Sequence, residues 1–357
     1  MAYTDIDKPS DYFETVTYAG GTTDISSLDF QPDFVWGKKR DGAENYALFD
    51  SVRGATKTIN SNTTALESTR SGSLTSFDSD GFTLGGSDGI ISNSGSTYVA
   101  WSWKAGTAFS NSAGANGADI ASSGSVNTTA GFSIVKWVGN GTDDQQISHG
   151  LSSTVKMILC KRYIGGSPDA WVVYHVGLPV TQYLMLNSTS AGLSDNEVIW
   201  SDEHPTSSVF TVGNHGTTND DGSTMIGYCF ADVQGYSKFG SYTGNGNADG
   251  TFVYTGFKPA FTLIKRTDSA TGGSWILFDN KRGTNVINPV DVVMAASNNQ
   301  SEADWGTAYD CDYLSNGFKW RHDGSSGYVN VSGATYIYMA FAENPFTTST
   351  GVPATAR

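Results

Sequence analysis

Charge is scarce in this sequence, and positive charge is scarcest. Charged residues make up 16% of the 357 residues, and 21 Lys and Arg stand against 35 Asp and Glu, for a formal net charge of -14. A typical globular protein has about 25% charged residues. Nucleic-acid binding through phosphates needs clustered Lys and Arg. The composition therefore argues against a nucleic-acid partner.

Cysteine and long apolar runs are also rare. Cys160, Cys229 and Cys311 show no metal-ligand spacing, and a disulfide framework is not expected. Three free thiols fit assembly in a reducing cytoplasm. No apolar run approaches the ~20 residues of a membrane span, and the N-terminus has no apolar segment typical of a secretory signal. We therefore expect neither membrane insertion nor secretion by that route.

Glycine and aromatic residues, in contrast, are plentiful. The chain has 42 Gly, and Phe, Trp and Tyr make up 12% of the residues. Short β-branched and aromatic runs alternate with clusters of Gly, Asn, Asp and Ser. This pattern is typical of an all-β protein with many turns.

The same series of strand-like segments occurs three times. Each copy has a strand ending in a basic pair (Lys39-Arg40, Lys161-Arg162, Lys265-Arg266), a following strand ending at Asp50, His175 or Asp279, and a closing run that is apolar on both faces. Such a closing run belongs in the middle of a sheet covered on both sides. We predict three tandem antiparallel β-sandwiches, jelly-roll-like or lectin-like.

The repeats set the predicted boundaries. They are an N-terminal arm at 1–11, repeat 1 at 12–105, a Gly/Ser/Asn-rich linker at 106–130, repeat 2 at 131–236, repeat 3 at 237–346 and a polar tail at 347–357. The linker composition predicts a flexible connection or an extended surface strap. Repeat 1 could then anchor the protein while repeats 2 and 3 project. The tail is expected to be loosely ordered.

No catalytic constellation is recognisable. The chain lacks a phosphate-binding Gly-rich loop, a dinucleotide fingerprint and a zinc-binding His pair. The matched Asp50, His175 and Asp279 suit a shared turn or edge role, and each basic pair is expected to bind the following Asp, as in Arg40 with Asp50 or Arg266 with Asp279. No cofactor and no metal are predicted. Two segments, 140–144 and 219–222, offer oxygen ligands for Ca²⁺ but are typical of turns.

Acidic clusters and unmatched aromatics are the remaining candidates. Glycoside hydrolysis would need two carboxylates. The acidic clusters that could supply them are Asp195, Glu197, Asp202 and Glu203, and Glu302, Asp304, Asp310 and Asp312. Solvated acidic loops are the favoured explanation, because repeat 1 has no comparable cluster. Carbohydrate binding would use exposed aromatics on variable loops, and the candidates are Trp200, Trp305 and Tyr309. The alternative is that Trp200 and Trp305 cap the edges of their sandwiches.

Several segments resemble a family of marine bacteriophage virion proteins. They are residues 1–13, 76–85, 97–105, 231–246 and 340–346. Gly37 departs from the pattern, because an apolar residue is expected after Trp36. The family offers no catalytic residues to carry over, and the resemblance implies a structural role in the virion.

We therefore expect a non-enzymatic virion protein, assembled in the host cytoplasm. The favoured role is a tail fibre or tail-appendage adhesin that binds a host surface glycan. Its expected partners are other virion proteins and further copies of itself, most simply as a trimer. The alternatives are a capsid decoration, cement or head-fibre protein, a polysaccharide-depolymerising tailspike, and a carbohydrate-binding module.

Overall fold

A computed structural model describes residues 3–194, 196–283, 288–304 and 306–355. Nearly all regular structure is β, and strand ladders are antiparallel. The prediction of an all-β protein made of antiparallel sandwiches is confirmed. Helical segments of the described chain are one turn long: two 3₁₀ turns at Pro9–Asp11 and Gly306–Tyr309, and α1 (Glu197–Trp200) and α2 (Gly216–Asn219). None of them could cross a membrane.

Each repeat supplies its own set of strands. Repeat 1 contains β1 Phe13–Ala19, β2 Asp24–Ile25, β3 Phe34–Lys39, β4 Ala47–Asp50, β5 Lys57–Thr58, β6 Ser68–Thr69, β7 Leu74–Asp78, β8 Gly81–Leu84 and β9 Thr97–Trp103. Repeat 2 contains β10 Thr107–Asn111, β11 Ser122–Asn127, β12 Phe132–Val138, β13 Gln145–Ser148, β14 Val155–Ile164, β15 Val172–His175, β16 Leu184–Met185, β17 Val209–Val212 and β18 Thr224–Ala231. Repeat 3 contains β19 Ser237–Thr243, β20 Phe252–Tyr254, β21 Phe257–Arg266, β22 Trp275–Asp279, β23 Val292–Ala295, β24 Ala303–Asp304, β25 Cys311–Leu314, β26 Gly317–Trp320 and β27 Thr335–Pro345.

A large and a small sheet face each other in every repeat. The large sheets are ordered β1-β9-β3-β4, β10-β11-β12-β18-β14-β15-β16 and β19-β27-β21-β22-β23-β24. The small sheets are β2-β8-β7, β13-β17 and β20-β26-β25, and β5-β6 forms a separate pair. In all three large sheets the closing strand of the repeat lies between its first and second long strands. The tripled sequence is therefore a tripled topology.

The closing strands explain why these runs are apolar on both faces. Along β9, Ala100 packs into the sandwich of repeat 1, whereas Val99, Trp101 and Trp103 point to the opposite face. That opposite face joins a central core with its counterparts from β18 and β27, including Tyr228. Alternate residues of one strand thus serve two cores, as the period of two requires. The small sheet of the same repeat covers one face of the closing strand. The other two repeats cover the opposite face, through the central core.

The repeats follow one another in a closed cycle. Strands β4, β15 and β22 each end in a buried side chain that contacts the closing strand of the next repeat. Asp50 contacts Tyr228, His175 contacts Tyr338, and Asp279 contacts Trp101. Repeat 3 thereby returns to repeat 1. We call the three contact regions junctions 1–2, 2–3 and 3–1. The matched residues also accept hydrogen bonds from backbone amides of the turn that follows them, in line with their predicted turn role. Their burial at the junctions was not predicted.

Of the two alternatives for residues 106–130, the flexible linker is wrong, and the extended strap is nearer to what is found, because β10 lies largely exposed at the sheet edge. Residues 107–111 and 122–127 form β10 and β11, which extend the large sheet of repeat 2. Small residues make this possible, because a Cβ on Gly124 would lie 1.8 Å from the carbonyl oxygen of Ile134. The repeats also share one core, so repeat 1 is not a separate anchor.

The arm and the tail meet at junction 3–1. The Tyr3 hydroxyl donates to the Gly256 carbonyl oxygen at 2.6 Å, and the Thr4 hydroxyl donates to that of Gln234 at 2.7 Å. The Ser349 amide in turn donates to the Asp7 carboxylate at 2.6 Å. The arm therefore ties repeat 1 to repeat 3 and to the end of repeat 2, and the tail, expected to be loose, is hydrogen-bonded to the arm.

Strand register corrects the alignment of the basic pairs. Lys38, rather than Lys39, matches Lys161 and Lys265, because Trp36, Leu159 and Leu263 lie opposite matched residues of the closing strands. Gly37 then occupies the apolar position. A Cβ there would lie 2.5 Å from Ile91 Cδ1, so the Ile91 side chain fills this space.

The predicted ion pairs of those segments are also wrong. Arg40 binds Glu302 with two hydrogen bonds of 2.8 and 2.9 Å, and Arg266 binds Asp268. Asp50 and Asp279 instead pair with Arg53 and Arg282, three residues further along. The sequence did not distinguish the arginine before each Asp from the one after it, because the turn after the strand decides which arginine reaches the buried carboxylate.

Candidate functional site

The aromatic residues predicted to bind ligand are not exposed. Trp200 is 1% exposed and packs against Tyr174 and Phe210 in the core of repeat 2, which matches the edge-capping alternative. Tyr309 is fully buried, with its ring 5.4 Å from that of Tyr328. Trp305 lies outside the described residues. Their expected exposure is thus wrong for Trp200 and Tyr309.

Three residues of the acidic clusters are used in structural contacts. Glu203 accepts a hydrogen bond from Thr211 at 2.7 Å, Glu302 binds Arg40, and Asp312 binds Arg321 at 2.5 Å. Asp195 lies outside the described residues. No group of three or more His, Cys, Asp and Glu that could hold a metal occurs in the described chain.

The two segments considered for Ca²⁺ are joined by a buried amide. Asn219 Nδ2 donates to the carbonyl oxygen of Thr142 at 2.6 Å and to that of Gly213 at 3.1 Å. Asn330 does the same in repeat 3, donating to the carbonyl oxygens of Asn247 at 2.9 Å and His322 at 2.7 Å. Both amides are fully buried. The two amides therefore hold the loops that follow β12 and β19. This structural role agrees with the interpretation of these segments as turns.

An exposed aromatic pair lies on the outside of repeat 3. Phe252 is 43% exposed and Tyr254 is 56% exposed, whereas Val253 between them points into the sandwich. Residues two apart on a strand lie on the same face. Together the two rings form an apolar surface on β20, an edge strand of the small sheet.

Local contacts hold this aromatic pair in place. The Phe252 ring packs over Gly317 of β26, where an added Cβ would lie 3.0 Å from the ring. The Tyr254 hydroxyl lies 3.5 Å from that of Tyr3. Next to the rings, the Lys319 ammonium pairs with the Asp249 carboxylate at 2.5 Å. The site therefore combines a fixed apolar face with polar and charged groups at its rim.

The polar rim continues into the loop at 245–249. Asn330 holds this loop from below by donating to Asn245 Oδ1 at 2.9 Å and to the Asn247 carbonyl oxygen. Asn247 and Asp249 themselves are exposed. Their amide and carboxylate groups are available to solvent beside the aromatic pair.

The other two repeats lack these rings. Val253, Ile147 and Ile25 are matched, because each lies opposite the inward Phe of the neighbouring strand. The neighbours of Ile147 are Gln146 and Ser148, and those of Ile25 are Asp24 and Ser26. The aromatic pair is thus specific to repeat 3 and is not required by the scaffold. The alternation Phe252-Val253-Tyr254 was the available sequence signal.

Buried charges form a second polar constellation at junctions 1–2 and 3–1. The Asp50 carboxylate accepts from Arg53 and from the Tyr228 hydroxyl at 2.7 Å, and Glu67 lies 3.3 Å from Arg53. Burial opposes the charge of Arg53, but Asp50, Tyr228 and Glu67 together outweigh burial and raise the guanidinium pKa. Burial also raises the pKa of Tyr228 well above its usual value, so its hydroxyl remains a donor.

Junction 3–1 repeats this arrangement with a different donor. Asp279 accepts from Arg282 and from Trp101 Nε1 at 3.0 Å. Glu302 lies 3.5 Å from Arg282, as Glu67 does near Arg53. Both Arg–Asp pairs have completely buried side chains.

Junction 2–3 replaces the whole charged set with neutral residues. His175, Leu178 and Gly192 stand where the other junctions have Asp, Arg and Glu, and Met339 stands where they have Tyr228 and Trp101. Met339 has no proton to donate, so a buried Asp there would lack its partner. His175 instead donates from Nε2 to the Tyr338 carbonyl oxygen at 3.0 Å. Burial lowers the pKa of His175 to about 4, which keeps the ring neutral.

Matched buried lysines complete the junctions. Lys161 donates to the Thr64 carbonyl oxygen of repeat 1 at 2.8 Å, and Lys265 donates to those of Thr189 and Ser190 of repeat 2 at 3.1 and 2.7 Å. Lys38 donates to carbonyl oxygens of its own loop. Burial lowers the pKa of Lys265 to about 7 and those of Lys38 and Lys161 to about 8.

Comparison with known proteins gives one match. No curated protein and no solved structure matches the chain. A family model described as a domain of unknown function, DUF7483, matches residues 8–345. The matched range includes the strands of all three repeats, β1 to β27, and the buried side chains matched at the three junctions. The chain therefore belongs to the DUF7483 family.

Proposed function

We propose that this chain is a non-enzymatic structural protein of a bacteriophage particle, a tail fibre or other tail appendage that binds a glycan on the host surface. The observation that carries the attachment role is the exposed pair Phe252 and Tyr254 on repeat 3. Support for the virion role comes from the sequence segments that resemble virion proteins.

The aromatic pair has the chemistry that sugar binding requires. The C–H face of a pyranose packs on an aromatic ring, and its hydroxyls hydrogen-bond to nearby amides and carboxylates. Phe252 and Tyr254 offer two rings on one face, and Asn247, Asp249 and Lys319 offer donors and acceptors beside them. An exposed apolar surface with a polar rim is typical of an interaction site. A neutral glycan also avoids repulsion from the net charge of -14.

The three-repeat body suits a structural role. Its large sheets share a core, and each junction has buried polar contacts that fix how the repeats face one another. Loops and edge strands on such a body can change without altering it. The body would hold the aromatic pair at a fixed orientation.

The expected homotrimer remains a prediction. One chain already packs three sandwiches around a shared core, which is the arrangement that a trimer of single sandwiches would provide. Sedimentation equilibrium measures the assembly directly, since one chain has a mass of 37.9 kDa. A threefold larger particle would confirm the trimer, and a particle of one chain's mass would contradict it.

A glycan array tests the attachment role. We expect the protein to bind a subset of bacterial surface glycans, and Phe252→Ala or Tyr254→Ala to weaken binding about tenfold each, or about 1.4 kcal/mol. Gln146→Ala and Ser148→Ala alter the matched positions of repeat 2 and should leave binding unchanged. Binding that survives both aromatic substitutions would refute this site. Release of reducing sugar from the bound polysaccharide would instead indicate a tailspike.

Imaging of particles tests the virion role. A C-terminal tag, detected by gold-labelled antibody on purified particles, should label the tail. Label distributed over the head would favour the decoration, cement or head-fibre alternative. Particles free of this protein would refute a virion role altogether.

A further inference from the structure

Strands β1, β12 and β19 each pair with the closing strand of their repeat along one side. The backbone groups on the other side face outward. In β1, the Lys104 amide donates to the Tyr12 carbonyl oxygen at 3.0 Å, and the Gly20 amide donates to that of Ser96 at 2.6 Å. Even-numbered residues of β1 therefore bond to β9. Because backbone groups alternate along a strand, the amides and carbonyls of Phe13, Thr15 and Thr17 face outward.

In repeat 2 the matching outward groups are covered by β11. Phe132, Ile134 and Lys136 face outward from β18 and pair with Asn127, Ser125 and Ser123. Phe13 and Phe132 are matched, since they lie opposite Trp103 and Phe230. The chain thus supplies one edge with an added antiparallel strand of sequence Ser-Ser-Gly-Ser-Val-Asn.

In repeat 3 the corresponding edge is partly closed by side chains and by the backbone just before β19. The Asp232 carboxylate accepts from the Phe239 amide at 2.9 Å, and the Thr251 hydroxyl donates to the Thr243 carbonyl oxygen at 2.9 Å. The backbone of Ser237 pairs with Val233. Such contacts are devices that keep other chains from adding to an edge.

The edge of β1 has no such cover within the described chain. The outward amides and carbonyls of Phe13, Thr15 and Thr17 have no hydrogen-bond partner among the described residues. A cleft of about 390 Å³ runs beside this strand, with Asn280 and Lys281 of repeat 3 in its opposite wall. The matching wall of repeat 1, at residues 51 and 52, faces β11.

Thr15, which lines the cleft, also has a buried hydroxyl without a partner. The residue is 3% exposed, and its Oγ1 has no hydrogen bond. Buried polar atoms are normally hydrogen-bonded. The side of junction 3–1 formed by β1 is therefore incompletely satisfied.

We propose that β1 binds an extended segment of small polar residues from a partner protein, which adds to the sheet as an antiparallel strand in the cleft at junction 3–1. Main-chain hydrogen bonds would supply the affinity, as in other cases of strand addition. The occupant is small because β11 is small where the chain covers its own edge. It is polar because Glu14 and Lys281 pair across the cleft at 3.0 Å. This inference does not depend on glycan binding.

The sequence of β11 provides the probe. A synthetic peptide of residues 121–128 is added at millimolar concentration to the intact protein, and amide hydrogen exchange is followed by NMR. We expect exchange to slow at Thr15 and Thr17, whose amides face outward from β9. Val16 should not change, because its amide already bonds to β9. Ile134 should not change either, because β11 already covers it.

N-methylated peptides separate strand addition from other contacts. By analogy with β11, the peptide amide of Ser125 should face Thr15, and that of Val126 should face away. N-methylation at Ser125 should abolish the protection, and N-methylation at Val126 should preserve it. These variants leave the protein unaltered, so folding does not affect the comparison.

A protein variant gives the complementary test. Thr17→Pro removes an outward amide without disturbing the pairing of β1 with β9, and Ser241→Pro is the matched change on β19. Thr17→Pro should abolish the protection of Thr15, and Ser241→Pro should not, with thermal melting as the check on folding. Absence of slowed exchange at β1, equal effects of the two N-methylated peptides, or protection of β19 instead would each overturn the proposal.

Discussion

Junction 3–1 makes a quantitative prediction about its buried charges. Arg282→Leu leaves the Asp279 carboxylate buried with Trp101 Nε1 and two backbone amides but no counter-charge. Breaking a buried ion pair by removing one partner costs about 3–5 kcal/mol. Glu302 loses its contact with Arg282 but keeps Arg40. We therefore expect Arg282→Leu to lower the free energy of unfolding by about 3–5 kcal/mol.

The double variant Asp279→Asn with Arg282→Leu should recover much of that loss. Asn removes the unpaired charge and still offers Trp101 an acceptor, and Leu reproduces the residue found at the matched position, Leu178. The double-mutant cycle, measured by urea denaturation, should give a coupling energy of about 2–3 kcal/mol.

An exposed ion pair provides the control. Lys8 and Asp29 form an ion pair at 2.7 Å with side chains more than half exposed. Their cycle, with Lys8→Met and Asp29→Asn, should give a coupling energy close to zero, because water and salt screen an exposed pair. If the Asp279 and Arg282 effects add to within about 0.5 kcal/mol, the pair is not coupled and this account of the junction is refuted.

Three further predictions concern junction 2–3 and strand β11. Burial holds the pKa of His175 near 4, below its unfolded value of about 6.5. Between these two values the unfolded chain binds a proton that the folded chain excludes. The free energy of unfolding should therefore fall by up to about 3 kcal/mol as the pH drops from about 6.5 to about 4. His175→Gln should reduce the slope of denaturation free energy against pH in that window, and an unchanged slope would contradict a neutral buried ring. Lys265→Met removes the donor to three carbonyl oxygens and should cost about 1–3 kcal/mol for each oxygen left unpaired, whereas Lys238→Met, at an exposed pair, should cost less than about 1 kcal/mol. Limited proteolysis mapped by mass spectrometry should spare residues 122–127, because β11 is paired on both sides, and early cleavage there would contradict its place in the sheet.

The sequence was sufficient for the repeated sandwich but not for the way the repeats meet. A run such as Tyr98–Trp103 shows that both faces of a strand are covered. It does not show whether the second cover comes from the same repeat or from others, because any apolar surface satisfies the same pattern. The central core was therefore not predicted.

Residue composition also misled where structure depends on neighbours. Residues 106–130 are rich in Gly and Ser, which is typical of flexible segments, but a strand edge close to another backbone selects the same small residues. Trp200 lies in a stretch that varies between repeats, and its burial follows from a one-turn helix that folds it inward. The exposed pair at Phe252 and Tyr254 reads as an ordinary strand, because alternation alone does not tell which face is covered.

Closure of the cycle has a consequence for the number of repeats. In an open array, copies can be gained or lost at the ends, since each contacts only its neighbours in sequence. Here Trp101 of repeat 1 donates a hydrogen bond to Asp279 of repeat 3, so the last copy must fit the first. Loss of one copy would leave apolar faces of the central core uncovered. Gain or loss of a copy therefore requires every junction to close again at a new angle, whereas substitution and loop insertion do not.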